Sequence, residues 1–130
     1  MENKNLDGSK VTASGWGVTK HGANDSGETL RKVVMDVIPN PTCNKQYPSQ
    51  KIKDSMMCTL TRNKDTCQGD SGSGIDYFAR QSQTQCVVGI VSFGTGCADP
   101  NIGGVYTRVT SYLGWIQSQT GADYCKNCNP

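Results

Sequence analysis

The segment TCQGDSGSG, residues 66 to 74, contains the residue types that acyl chemistry requires. A serine hydroxyl becomes a useful nucleophile only when a base takes its proton and preorganised donors stabilise the oxyanion that forms. Gly69 and Gly72 bracket Ser71 with residues that tolerate unusual φ and permit close approach. A sharp turn there would let the N–H groups of Gly69 and Ser71 converge on one developing negative charge. Considered alone, Gly-Asp-Ser-Gly is also a polar turn whose serine merely caps or donates a hydrogen bond. A second segment, Ser92-Phe93-Gly94, ends an apolar run in glycine. Its exposed backbone is suited to pairing with an extended peptide by strand addition.

These segments need a scaffold, and the pattern around them is short apolar runs separated by Gly, Asn, Asp, Ser and Pro. That pattern predicts an all-β fold, with strands over 11–16, 30–38, 56–60, 74–79, 86–93 and 104–109. In the second run Val33, Met35 and Val37 alternate with polar or exposed neighbours, as in a half-buried strand. Six such strands are enough to close a small antiparallel barrel and remove its exposed edges. Two helices are expected besides: 40–47, with Asn40 as N-cap and Pro41 in the first turn, and 111–119, capped by Ser111 and ended by Gly121. The second should gather Tyr112, Trp115, Ile116 and Gln119 near one face. The barrel would then occupy 6–110, the helix 111–119 and an irregular tail 120–130.

Composition excludes several classes of function. The chain has 130 residues and a formal charge of +2 without a long basic run, which argues against nucleic acid as a partner. No run of 18 consecutive apolar residues offers a membrane-spanning helix, and no cofactor is expected. Seven cysteines suggest a disulfide-permissive compartment. The first ten residues nevertheless lack the apolar region of a signal peptide. Either the thiols are free in a cytosolic protein, or Met1 is not the start of the natural secreted chain. The odd cysteine count favours the second reading. Asn24-Asp25-Ser26 in the polar loop 19–28 is a sequon, so Asn24 is a glycosylation candidate if the chain is secreted.

The segments SGWG (14–17), CNKQYP (43–48), MMC (56–58), DTCQGDSGSG (65–74), VGIVSFGTGC (88–97), GVYTRV (104–109) and YLGWI (112–116) occur in the order found in trypsin-like serine endopeptidases. The resemblance runs from about residue 6 to 119, and the ending GADYC is similar to that of secreted arthropod members. It implies the second of two β-barrels, with protein or peptide substrates and the first barrel of the same protein as partners. Ser71 then matches the nucleophile, and Gly69 with Ser71 the oxyanion donors. Asp65 matches the acid of the primary specificity pocket, which implies cleavage after Arg or Lys. Ser92, Phe93 and Gly94 match one pocket wall and Gly104 the other, leaving room for a guanidinium to be held bidentately. Asp70 resembles the acid that pairs with a new amino terminus after activation; without that partner it would be solvated, rearranged or protonated. Cys43–Cys58 and Cys67–Cys97 match two disulfides of the family. Their loops of 15 and 30 residues would contribute about 3 to 4 kcal/mol each by chain entropy.

Departures from the pattern bear on activity. The family's catalytic His and Asp come from the first barrel, whereas the single histidine here is His21, in the polar loop after Gly-Trp-Gly. It reads as a solvated loop residue rather than a substitute base, so these residues alone are expected to be inactive. The family usually has two glycines after the serine; here Ser73 follows Gly72, adding a Cβ expected to strain the loop. Gly103 replaces a usual proline, which predicts a looser loop. Cys86, Cys125 and Cys128 fall outside the two expected pairs. Their CxxC lacks the further ligands of a zinc site, so no metal is expected, and one tail cysteine pairs either with Cys86 or with a cysteine beyond this sequence. The contrasting reading is a non-catalytic single-barrel homologue that binds protein.

Overall fold

A computed structural model describes residues 5–20, 22–25, 27–67, 69–97, 99, 101–125 and 128. Its six strands are β1 (Lys10–Gly15), β2 (Arg31–Ile38), β3 (Met56–Thr59), β4 (Gly74–Ala79), β5 (Thr84–Phe93) and β6 (Gly104–Arg108). All pairings are antiparallel, and the sheet closes on itself in the order β1-β2-β3-β6-β5-β4. The expected barrel is therefore present. Alternation along the strands sets its inside: Val11 and Ala13 of β1 are buried, as are Met35 and Val37 of β2. With Met57, Ile75, Val88 and Tyr106 they fill the main core.

Helix α1 (Asn40–Gln46) packs over a second, smaller core of Cys43, Tyr47, Ile52, Cys58 and Val105. Asn40 is not the cap expected of it. Pro39 holds that position, and Asn40 is the first helical residue, donating from Nδ2 to the Lys53 and Met56 carbonyls at 3.0 Å each. Those bonds tie the helix start to β3 instead of to its own first turn. Ser111 likewise does not cap the last helix. It lies within a 3-10 turn (Val109–Tyr112) that leads into α2 (Leu113–Thr120), and Tyr112 occupies the N-cap without a side-chain bond. Gly121 ends α2 as expected, with φ 69° and its N–H on the Gln117 carbonyl at 2.8 Å.

Both expected disulfides form, Cys43–Cys58 joining α1 to β3 and Cys67–Cys97 joining two loops at one end of the barrel. A third, Cys86–Cys128, ties β5 to the tail, which chooses among the pairings that the sequence left open. No helix among the described residues is long and apolar enough to cross a membrane.

Candidate active site

The described residues of the loop 65–73 have no regular secondary structure, yet polar contacts fix them on three sides. Asp70 Oδ1 accepts the Gly17 N–H at 2.8 Å and Oδ2 accepts the Cys67 N–H at 2.9 Å. Its own N–H reaches the Cys67 carbonyl, and the Ser73 N–H reaches the Asp70 carbonyl, both at 3.0 Å. Gly72 N–H donates to Val91 and Val91 N–H to Ser73 at 3.0 and 2.9 Å, which sews the loop to β5. Asp70 is thus half-buried between two backbone donors. Nothing in the residues around Asp70 signals either donor, and the expectation named no partner for the acid within this chain.

Gly-Trp-Gly explains itself through the same carboxylate. A Cβ on Gly15 would lie 2.1 Å from Asp70 Oδ1, a clash that would force the acid off its donors. Gly69, at φ 94°, packs so close to Gly17 that a Cβ would meet the Gly17 Cα at 3.1 Å. Among the described residues the N–H groups of Gly69 and Ser71 find no acceptor, although those of Asp70, Gly72 and Ser73 do. Two donors beside an exposed serine hydroxyl are the arrangement that can stabilise an oxyanion. The φ of Ser73 is not in the left-handed region, where the non-glycine residues among those described are Asn63 and Gln83.

Beside Ser71 opens a cleft of about 210 Å³. Asp65, Ser92, Phe93, Gly94 and Gly104 all line it, as does Cys67–Cys97, so the residues expected to contact substrate are brought together. Gly104 lies against the acid, since a Cβ there would come 2.7 Å from Asp65 Oδ1. A Cβ on Gly94 would sit 3.6 Å from the Gly104 Cα, an ordinary contact distance that shows how near the two walls lie. Asp65 Oδ1 also accepts the Thr66 N–H at 2.8 Å.

Two tyrosines without chemistry of their own in the sequence pattern support these walls. Tyr106 is buried, and its hydroxyl lies 3.2 Å from both Thr59 Oγ1 and Thr66 Oγ1. Burial disfavours the phenolate and pushes its pKa up to about 12, with the nearby Asp65 charge acting in the same direction. Tyr47 meets Phe93 edge-on at 5.9 Å and donates its hydroxyl to the Gly103 carbonyl. Burial raises its pKa as well. Gly103 is correspondingly not loose. Its N–H donates to Gln46 Oε1 at 2.7 Å, and a Cβ would approach the Thr59 carbonyl to 2.7 Å. Proline could supply neither the donor nor the clearance. The only advance sign of these supports was the position of Tyr47 and Tyr106 inside segments already matched to the family.

His21 lies outside the described residues, as does Ser26 of the sequon; Asn24 is exposed.

A family model described as Trypsin matches residues 2–116. The chain belongs to the trypsin family. Within that family it is 42% identical over 125 residues to the clotting factor G beta subunit of Tachypleus tridentatus, covering 89% of this chain and 40% of that protein. It is 37% identical over 124 residues to a venom serine protease of Polistes dominula, covering 95% and 44%. Trypsin-1 of Astacus astacus is 38% identical over 110 residues, covering 83% and 45%. The chain thus spans less than half the length of these curated relatives. The trypsin-family pairings Cys43–Cys58 and Cys67–Cys97 implied by the resemblance are both present.

Proposed function

We propose that this chain supplies the nucleophile, oxyanion donors and basic-residue pocket of a trypsin-like endopeptidase. The barrel 6–110, the segment 111–119 and the tail 120–130 form part of its peptidase domain. Ser71 Oγ attacks the carbonyl after Arg or Lys, the N–H groups of Gly69 and Ser71 hold the oxyanion, and water hydrolyses the acyl-enzyme. The proton is handled by a His and an Asp outside these 130 residues, in the first barrel of the same protein. Asp65 receives the guanidinium or ammonium between the walls Ser92–Gly94 and Gly104. Three disulfides support an extracellular setting.

The observation that carries this reading is that one cleft is lined by Ser71, Asp65 and Gly104 together. The test is hydrolysis of arginyl and leucyl amides by the two-barrel protein. Ser71→Ala should abolish turnover, and Asp65→Ser should remove the preference for arginine by about 10²-fold or more through loss of a charge-assisted contact. Unchanged arginine preference in Asp65→Ser would refute the pocket assignment. Amide hydrolysis by residues 1–130 alone, dependent on Ser71, would refute the external base.

A further inference from the structure

The junction of β5 and the tail holds sulfur chemistry that the cleft does not use. Cys86 is bonded to Cys128, Cys125 is a free and exposed thiol, and all three sulfur atoms lie within 4.8 Å of one another. Cys86 and Cys128 are only 7% and 2% exposed, so reagents in solution have little access to their bond. Cys125 faces water and stands beside it. Disulfides open by thiolate attack on one sulfur, and a nucleophile held this close acts at a high effective concentration.

We propose that the three cysteines form an exchangeable sulfur relay, in which Cys125 competes with Cys128 for Cys86 and gives external dithiols access to the buried staple. In the exchange, the Cys125 thiolate attacks Cys86 Sγ and the Cys86–Cys128 bond breaks. Cys128 leaves as a thiolate and takes up a proton. One S–S bond forms as another is lost, so no oxidant or reductant is consumed. The native bond spans 42 residues and the alternative is three residues shorter. Loop closure therefore separates the isomers by only about 1.1-fold. Burial of the Cys128 sulfur decides the balance, leaving Cys86–Cys125 as the minor form.

In that minor form an external dithiol attacks the exposed Cys125 sulfur and expels the Cys86 thiolate. The reagent's second thiol then attacks the mixed disulfide, closing its own ring and releasing Cys125. The two electrons come from the dithiol, which ends as a cyclic disulfide, and the chain ends with three thiols. While oxidised, the cluster offers only one thiolate, too few for a structural metal site.

The test uses the folded, unreduced protein, trapped with N-ethylmaleimide and mapped by mass spectrometry after non-reducing digestion. Label is expected mainly on Cys125 with a minor share on Cys128. Cys128→Ser should retain a staple as Cys86–Cys125, with neither cysteine labelled. Cys125→Ser should slow reduction of Cys86–Cys128 by dithiothreitol about tenfold or more. Label confined to Cys125, a Cys128→Ser protein labelled at both Cys86 and Cys125, or a Cys125 already bonded to another cysteine would each overturn the relay. Should Cys128→Ser fail to fold, Cys125→Ser keeps the native bond, and reduction at the wild-type rate would decide against it.

Discussion

The loop 65–73 and helix α2 are held in opposite ways. The loop has irregular backbone, but a disulfide, a doubly bonded carboxylate and a pair of hydrogen bonds to β5 anchor it. Helix α2 has regular backbone, yet only Leu113 of it is buried, while Trp115 is 64% exposed. An eight-residue helix has little stability of its own. Regularity is therefore a poor guide to fixation in this barrel, where rigidity follows the cross-links between distant segments. Loops position catalytic groups well when such cross-links replace the repeating bonds of a helix or strand.

Breaking the links should show the difference in order of size. Replacing Cys67 and Cys97 together by serine should cost about 3 to 4 kcal/mol in denaturant unfolding, from the 30-residue loop that the bond closes. A loss as small as that from a surface substitution would mean that the loop does not depend on its staple. Asp70→Ala should cost about 2 to 3 kcal/mol, because it leaves the Gly17 and Cys67 donors without their acceptor. Gly15→Ala should reproduce part of that loss through the carboxylate it displaces. If Gly15→Ala is neutral, Asp70 is not pinned in the way the two bonds imply.

Tyr106 sharpens the contrast through pH. Its folded pKa of about 12 exceeds the ordinary value of 10, so the folded state keeps the phenolic proton longer than the unfolded state does. The contribution is intact below pH 10 and is lost as pH rises toward 12, to a total of about 2 to 3 kcal/mol. Tyr106→Phe should cost about 1 kcal/mol at neutral pH and flatten the alkaline side of the stability profile. An unchanged alkaline slope would locate the titrating group elsewhere. The smallest effect is expected in α2, where Trp115→Ala should change stability by less than about 0.5 kcal/mol in this chain. A loss several times larger would show that α2 is anchored as firmly as the loop.

The strands were legible because alternation is local: Val33, Met35 and Val37 declare an inward face without knowledge of what they meet. The candidate site was legible because Ser71, Asp65 and Gly104 fall in motifs whose order matches a family. Contacts between motifs were not. Nothing within Gly-Trp-Gly announces that Gly15 makes room for Asp70 and Gly17 donates to it, since that carboxylate lies 53 residues away from Gly17. Gly103 was misjudged for the same reason, because its partners Gln46, Tyr47 and Thr59 belong to other elements. Asn40 had the composition of a cap, but its side chain bonds the carbonyls of Lys53 and of Met56 in β3 instead. The pairing of Cys86 was beyond reach because two tail cysteines satisfy the same spacing.

The spatial order of the staves also governs how the chain is made. Strands β1 and β2 can pair early, matching Val11 with Met35, but β1 must wait for Ile75 of β4, and Met57 of β3 for Tyr106 of β6. A nascent polypeptide leaving the ribosome therefore presents an unclosed apolar hairpin until most of its length has emerged. Closure of the barrel therefore depends on pairings between segments far apart in the chain, and its apolar interior stays open until the last of them arrives.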